Sequence, residues 1–519
     1  MAATYPIINL NINNETIQFS AAEVIEAEVV QEIHPANVEL PASTARIRIW
    51  LDNVVVDDNN QTMSDKFSPF SSGIYYQAMM AGLVVDVHES VDGVSHPIGR
   101  FYLQEWNSPK EGELEMVCTD AIGILEQLTY LGNFFEVPTT VKAIIADIFA
   151  EVGLSYEIDP LIANKTLKGY LPGNKTLRET LQHVLFAAGA YAVTAGVNSA
   201  GAFTMRIKPS VFPDAIVVYP TSYYDNAAAL YDNADTKYAD QVIDAYITHN
   251  DKIDAQELNI LPLVTGIDIT SHDYAKGTAV EEIFSAQLTP GDYMVVYPKP
   301  YHWVTATGIG DAITYLATAN DTVDEILALP NSVLDAGENT YEIILTGYGE
   351  FEYGVNYVYL HVPEVEGEIP EVIVTGKPWL DSTQSFKWTN PASILTFNSG
   401  AVYDDVNALY NTATYRRDWQ VNVPPNIWKI DSATLVPSIQ TVGEETVNAV
   451  LSKVSEYAAL RYQQNATLFP RMDIEPGEVD LVETLYGKQI VGVVERMVSR
   501  LSGGYLIETE FIGTERTVA

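Results

Sequence analysis

The stretch that decides the fold runs from Gly99 to Pro209. It opens on an aromatic strand, Gly99-Arg-Phe-Tyr-Leu-Gln-Glu-Trp106, passes through Leu114-Glu-Met-Val-Cys118, and enters a short apolar helix, Asp120-Ala-Ile-Gly-Ile-Leu-Glu-Gln-Leu128. From Pro138 the apolar spacing changes from about two residues to about 3.6. Val141, Ile144, Ile145, Ile148, Phe149 and Val152 then form one helical stripe, with Thr139 or Thr140 placed to cap its start and Gly153 to end it. A second helix opens at Thr176, with Glu179 at capping-box spacing. Leu177, Leu181, Val184, Leu185 and Ala188 share one side of it, and Gly189 is the stop. A hairpin, Ala190 to Thr194 with Ala202 to Lys208, closes the unit. Both stripes require a common partner surface, so residues 126–209 are expected to form a compact α/β module whose helices cover a small sheet.

Outward from this stretch the pattern is β. Glu23-Val-Ile-Glu-Ala-Glu-Val-Val30 and Ala45-Arg-Ile-Arg-Ile-Trp50 alternate charged with apolar side chains, which puts one face of each strand in a core. His34-Pro35 and Leu40-Pro41 punctuate the connection, a Gly/Ser/Pro loop (Phe67 to Gly73) precedes Leu83-Val-Val-Asp-Val87, and Asp92-Gly93 makes a turn before Phe101. This block reads as a small antiparallel barrel or sandwich. Beyond residue 210, Gly266 to Tyr274, Phe284 to Tyr297 and Tyr341 to Gly347 read as sandwich strands, and residues 363–371 as an acidic, solvated link. A last helix, about Glu444 to Tyr462, stacks Val447, Val450, Leu451, Val454, Tyr457 and Ala458. After it, Leu468 to Met472 and Val479 to Val482 flank Glu475-Pro-Gly477, and the strands from Gln489 and Tyr505 meet across Ser502-Gly-Gly504. One internal echo relates Tyr224-Asp-Asn-Ala-Ala-Ala-Leu-Tyr-Asp-Asn-Ala234 to Tyr403-Asp-Asp-Val-Asn-Ala-Leu-Tyr-Asn-Thr-Ala413, by coincidence of composition or by a shared strand-entry turn in two related β domains.

The expected fold class is therefore α+β, mostly β, and multidomain. It has two barrel-like antiparallel β domains, an inserted α/β module and a further β-sandwich-like region. The expected boundaries are 1–120 for the first β domain, 121–209 for the module, 210–385 for the β-rich region with an insertion at 251–385, and 386–519 for the closing helix and β domain.

Composition narrows the function. A chain of 519 residues with 47% hydrophobic side chains is long enough for several cores, and its 31 tyrosines suit β-rich domains and interfaces. The formal charge of −41, from 69 Asp and Glu against 28 Lys and Arg, argues against nucleic-acid binding, which draws on Lys and Arg. The acidity reads either as solubility or as a surface that repels DNA sliding past it. The one cysteine, Cys118, allows no intrachain disulfide and no cysteine-based zinc site, and its apolar strand marks it as a small core residue. The N-terminus lacks a signal-peptide pattern and no apolar run reaches bilayer length, so synthesis in a cytoplasm and a soluble chain are expected.

The chain carries little that points to chemistry. There is no Gly-x-Ser-x-Gly elbow, and Gly308-Ile-Gly310 lacks the lysine of a phosphate loop, so it reads as a turn. The eight histidines are scattered, and the densest region, His88 and His96 with their acidic neighbours, fits a solvated hairpin better than a metal site. Glycoside hydrolysis needs only two carboxylates, which 69 acidic residues make uninformative. No catalytic, cofactor-binding or metal-ligating residue is singled out, no cofactor is expected, and the chain reads as a non-enzyme.

The serial order around the opening stretch resembles the baseplate hub or tail-tip hub proteins of tailed phages and related contractile injection machines. The residues that carry the likeness are Gly99-Arg-Phe-Tyr102; Asp120 with Leu125 and Leu128; Thr176-Leu-Arg-Glu179; and the hairpin from Tyr191 to Ile207. It is strongest over residues 23–209 and weaker over 240–300 and 444–513, where Pro476-Gly477 and Gly492-Val-Val494 resemble the closing barrel. The β-rich stretch 251–385 departs from the pattern.

The resemblance implies a homotrimeric ring in which two barrel-like domains per chain give pseudo-sixfold symmetry. That ring would join the hexameric tail tube or distal tail protein to the tip and surround a channel for the tape measure protein and DNA. Tail fibre or receptor-binding proteins are further implied partners, with no stable nucleic-acid binding and no membrane span. The implied place is the virion tail tip or baseplate, assembled in the host cytoplasm, with a part in DNA ejection and no lytic domain. The alternative is a virion-associated or secreted glycan-binding adhesin or glycosidase on β-sandwich domains.

Overall fold

A computed structural model describes the chain apart from residues 1–3, 37–38, 52–59, 71–72, 151, 213–242, 255–256, 308–312, 319–331, 338–339, 346–350, 363–370, 391–393, 399–417, 423–424, 432–434, 438, 470, 472, 485–487, 502–504 and 516–519. The Tyr224 and Tyr403 echo, Gly308-Ile-Gly310, the acidic link up to residue 370 and Ser502-Gly-Gly504 lie outside the described residues. Strands β1 (Thr4–Ile12), β2 (Glu15–Phe19), β3 (Val24–Glu32) and β4 (Thr44–Trp50) precede a short helix, α1 (Met63–Phe67); β5 (Val84–Val91), β6 (Val94–Asn107) and β7 (Glu113–Thr119) follow. They pair in the order β2-β1-β5-β6-β7-β4-β3, all antiparallel. The alternation read from the sequence has its physical cause here: Ile8, Leu10, Ala27, Val29, Ile47 and Phe101 converge on a single core, so the sheet rolls around its own apolar face. Asp92 (φ 51°) and Gly93 (φ 84°) make the two-residue turn between β5 and β6. Cys118 sits in that core, where burial pushes its thiol up to about 12.

The α/β module comprises α2 (Ala121–Leu125), β8 (Thr129–Tyr130), β9 (Asn133–Thr140), α3 (Val141–Ile148), β10 (Tyr156–Ile158) and α4 (Pro160–Ala163). It continues with β11 (Thr166–Leu171), β12 (Lys175–Thr176), α5 (Leu177–Ala188), β13 (Ala190–Val193) and β14 (Met205–Pro209). Helix α5 is bounded as its sequence demands: Thr176 and Glu179 form a reciprocal capping box, and Gly189 adopts the left-handed conformation (φ 63°, ψ 50°) that ends it. The stripes of α3 and α5 merge into one core. Helix α3 is shorter than its stripe. It ends at Ile148, and tight turns from Phe149 carry Val152 onto the same core, so Gly153 is not its stop. Helix α2 likewise ends at Leu125, which leaves Leu128 exposed with its carbonyl accepting from the Leu177 amide at 2.9 Å. In place of one small sheet the helices cover two of three strands each, β10-β14-β13 and a second whose third strand comes from far along the chain.

The middle of the chain runs through β15 (Ala245–Ile247), β16 (Glu257–Ile260), β17 (Gly266–Lys276), β18 (Glu281–Gln287), β19 (Gly291–Val296) and β20 (Tyr301–Thr307). Next come β21 (Ile313–Thr318), β22 (Ser332–Gly337), β23 (Thr340–Leu345), β24 (Phe351–Tyr353), β25 (Tyr357–Val362) and the long β26 (Glu371–Thr389). The remaining strands of this part are β27 (Ile394–Asn398), β28 (Asp418–Asn422), β29 (Ile427–Asp431) and β30 (Leu435–Pro437); β30 completes the sheet β30-β11-β9. Strand β26 pairs with β18 and β20 through its first half and with β17 through its second. A core containing Val304, Val374, Val358 and Leu360 lies between this sheet and β19-β25-β24, a sandwich as expected from the sequence, but the strand expected at Tyr341 to Gly347 is β23 and pairs instead in a separate sheet, β21-β23-β22.

Helix α6 (Ile439–Ala458) starts and ends earlier than expected and packs Val450, Leu451 and Val454 against Ile267 and Ile269 of β17. Strands β31 (Tyr462–Leu468), β32 (Val479–Glu483), β33 (Gln489–Arg500) and β34 (Leu506–Glu515) make the closing β unit. Among the described residues the opening and closing units are one sheet of 13 strands, with the path β16-β31-β34-β33-β3-β4-β7-β6-β5-β1-β2 and β15-β32 branching from β33.

Candidate functional site: the seam between the two β units

The seam is the antiparallel pairing of β3 with β33. Glu28 lies opposite Arg500, Val30 opposite Val498 and Glu32 opposite Arg496. Alternation puts the charged members of these strands on one outer face, and they form a ladder there. Arg500 Nε is 3.4 Å from Glu28 and 3.3 Å from Glu508, Arg48 reaches Glu26 at 3.4 Å and Glu113 at 2.9 Å, and Arg46 reaches Glu115 at 2.5 Å. Arg48 and Arg46 hold Glu113 and Glu115 below the usual carboxylate range. The pair that crosses the seam, Arg500 with Glu28, is partly exposed and of a kind that contributes about 0–1 kcal/mol, so the backbone ladder and the cores on either side carry most of the join. Near the start of β33, far from its connection to β34, Gly492 faces Gly513, and a Cβ on Gly492 would come within 1.9 Å of the Ile512 carbonyl oxygen, so the closing unit needs glycine where it was read in the sequence.

Two buried polar contacts lock the module to this sheet. Asp120, fully buried, caps α2 through Gly123 N (2.9 Å) and also accepts from Ser43 N (3.0 Å) and Thr194 Oγ1 (2.6 Å), joining the opening unit, the short helix and the hairpin. Burial raises its carboxyl above the usual range despite these donors. On the other side, Tyr191 donates to the Gly477 carbonyl at 3.1 Å, Arg206 reaches Glu475 at 3.0 Å, and Lys208 reaches Glu475 and Glu478, each at 3.3 Å. A third contact fixes the sandwich: Asn356 donates to Tyr170 Oη at 2.6 Å and accepts from Gly173 N at 3.0 Å.

The structure gathers most of the residues that carried the sequence likeness. Phe101, Leu125, Leu177 and Ile207 are buried, Asp120 and Tyr191 are at the joins, and Pro476-Gly477 receives the hairpin. His88 of β5 and His96 of β6 lie in the hairpin itself, opposite Pro97 and Glu89, with burial lowering the His88 imidazole below its usual range, and no metal-holding group of three occurs among the described residues. Asp86 is paired with Arg100 at 2.7 Å. The alternating Glu and Arg of β3 and β4 were visible as a pattern, but their partners Glu113, Glu115 and Arg500 were not, because cross-strand register is a tertiary property. Asn356 and Thr194 carry no local signal at all.

The main path of the sheet ends at β2 and β16, and its branch at β15. Strand β2 exposes Glu15, Thr16 and Gln18, and β16 exposes Ile260 at 67%; neither has a second strand partner among the described residues. No helix among the described residues is long and apolar enough to cross a membrane.

No protein-family model and no curated protein sequence matches the chain. Solved structures do. A tail protein from Neisseria meningitidis is similar with a TM-score of 0.44 and 8% identity, over 98% of this chain and 96% of that one. The 43 kDa tail protein of prophage MuSo2 from Shewanella oneidensis is similar with a TM-score of 0.43 and 8% identity, over 98% of each chain. Prophage tail protein gp18 from Listeria monocytogenes gives a TM-score of 0.40 and 8% identity, over 99% of this chain and 95% of that one.

Proposed function

We propose that this chain is the structural hub of a phage tail tip or baseplate, acting as a homotrimer. The observation that carries the reading is the continuous sheet: two β units are fused side by side through β3 and β33, and the main path of the sheet ends in the open strands β2 and β16. Three such chains around an axis place six β units in a ring, which lets a threefold tip meet the sixfold tail tube or distal tail protein. The module and sandwich lie outside the seam and are available for other tail components, such as fibre or receptor-binding proteins. The role is geometric, a collar through which the tape measure protein and then DNA pass, with no bond chemistry.

The charge supports passage. A duplex carries one negative charge per ~1.7 Å of its axis, so a bore lined by part of this chain's excess of Asp and Glu keeps DNA mobile where a basic one would hold it. Chemical cross-linking of the chain, alone and with its tail-tube or distal tail partner, tests the reading. Trimers are expected in at least one of the two samples. Dimers or tetramers without trimers would contradict it.

A further inference from the structure

A cavity of about 560 Å³ opens where the closing β unit meets the end of α6, strand β29 and the loop after β3. Its walls are mostly aliphatic, with Leu261, Val264, Leu460 and Ile512 among them, and two aromatic rings, Trp428 and Tyr457, stand with centroids 6.2 Å apart. Among the described residues one carboxyl enters it. Glu495 is the extra residue of a β-bulge: Val494 pairs with Phe511 and Arg496 with Glu510, so Glu495 has no opposite number in β34 and its side chain turns to the cavity, accepting from the Tyr457 hydroxyl. Bulges re-aim single side chains in this way and are frequent at binding sites.

The other charged groups that face Glu495 do not neutralise it. His34, from the loop after β3, is already flanked by Glu32 at 3.0 Å and Glu39 at 3.3 Å. Lys429 of β29 is exposed at the rim and lies in register with Asp268 of β17. Glu510 of β34, which adds a like charge, is held by Gln463. An anion would meet Glu495 directly, and a neutral alkyl group would leave the carboxyl with the Tyr457 hydroxyl and no cation in a mostly apolar cavity. We propose that this cavity binds an alkyl cation, a guanidinium or ammonium head on an aliphatic stem, with the head on Glu495 beside the rings of Trp428 and Tyr457 and the stem along the aliphatic wall. The same chemistry is offered by a free amine or guanidine and by an arginine or lysine side chain of a bound protein. Because its walls come from β29, α6 and β33, the occupant would tie the sandwich to the closing β unit. This inference stands independently of the hub reading.

Burial raises the Glu495 carboxyl to about 7, with the Tyr457 hydroxyl and His34 pulling the other way. A cation selects the ionised form, so affinity should rise by about tenfold between pH 6 and pH 8 and then level off. Calorimetric titration of the full chain with agmatine, n-butylurea and the blocked tripeptide acetyl-Gly-Arg-Gly-amide tests the proposal. Agmatine is expected to bind one site, to bind more tightly at pH 8 than at pH 6, and to lose at least tenfold in affinity in Glu495→Gln and in Trp428→Leu. Equal binding of the tripeptide would identify a protein side chain as the source; binding of agmatine alone would identify a free cation. No binding of either at millimolar concentration, equal binding of n-butylurea, or undiminished binding by the folded Glu495→Gln variant would overturn the proposal.

Discussion

The phenol ring of Tyr191 packs directly over the backbone of Gly477, 286 residues further along the chain, and donates its hydroxyl to the Gly477 carbonyl at 3.1 Å. Gly477 has φ +88°, and a Cβ there would stand 2.4 Å from the ring. Backbone conformation and space both require glycine. Gly477→Ala is expected to destabilise the chain by about 2 kcal/mol or more. Tyr191→Phe keeps the ring and loses one hydrogen bond, for about 1 kcal/mol. Urea unfolding of the two variants measures both, and an equal loss for both would show that the close approach does not govern this join.

Ile145 and Leu181 are fully buried at the contact of α3 with α5, whereas Leu128 is exposed at 37%. An aspartate at either of the first two positions buries an unpaired charge and costs several kcal/mol. Ile145→Asp and Leu181→Asp should therefore lower the melting temperature sharply or leave the module unfolded, while Leu128→Asp melts near wild type. Near-wild-type melting of all three would show the helices to be misplaced.

Val30 sits mid-strand in β3, paired with Thr44 of β4 on one side and Val498 of β33 on the other. Proline there removes a ladder donor from a central strand. Hydrogen exchange in Val30→Pro should rise along β33 between Arg496 and Arg500, with the core around Ile47 and Phe101 changing less. A double-mutant cycle on Glu28 and Arg500, both partly exposed, should return a coupling of no more than about 1 kcal/mol. A larger coupling would shift the weight of the seam from backbone to charge.

Among the described residues burial raises five carboxyls: Glu89 and Glu495 to about 7, Asp480 to about 8, and Asp120 and Glu478 above their usual range. Each holds a proton in the folded chain that the unfolded chain has released above its ordinary value near 4. Stability is therefore greatest at the acid side of this window and falls as pH rises from about 4 to 8. The lowered carboxyls Glu113 and Glu115 act in the opposite sense below that window, and the lowered His88 imidazole, a single group, opposes the raised carboxyls within it as pH rises toward 6.5. Melting should be higher at pH 5.5 than at pH 8.5 by roughly 3 °C or more, and Asp480→Asn should flatten the slope. A melting temperature that rises with pH would contradict the burial of these groups.

Local rules made much of the fold legible. The capping box at Thr176, the left-handed Gly189, the Asp92-Gly93 turn and the alternation in β3 and β4 each depend on neighbouring residues alone, and each stands where the sequence placed it. Helix ends were less legible: α3 stops at Ile148 because its last apolar residues pack through tight turns, which leave the periodicity unchanged. Long-range pairing was not legible. Strand β30 has three residues and finds its partner β11 across more than half the chain, and the seam between β3 and β33 depends on a register that neither strand encodes alone. For the site, Asp120 was visible as a residue at a helix start, but its donors Ser43 and Thr194 come from separate elements.

The most direct test of the hub reading is a three-dimensional electron-microscopy reconstruction of the chain assembled with its tail-tube or distal tail partner. The account predicts a closed ring of three chains, each of 57.2 kDa, with six β units around a bore of negative potential. A particle with one, two or four chains, or a ring whose β units face away from the axis, would contradict it.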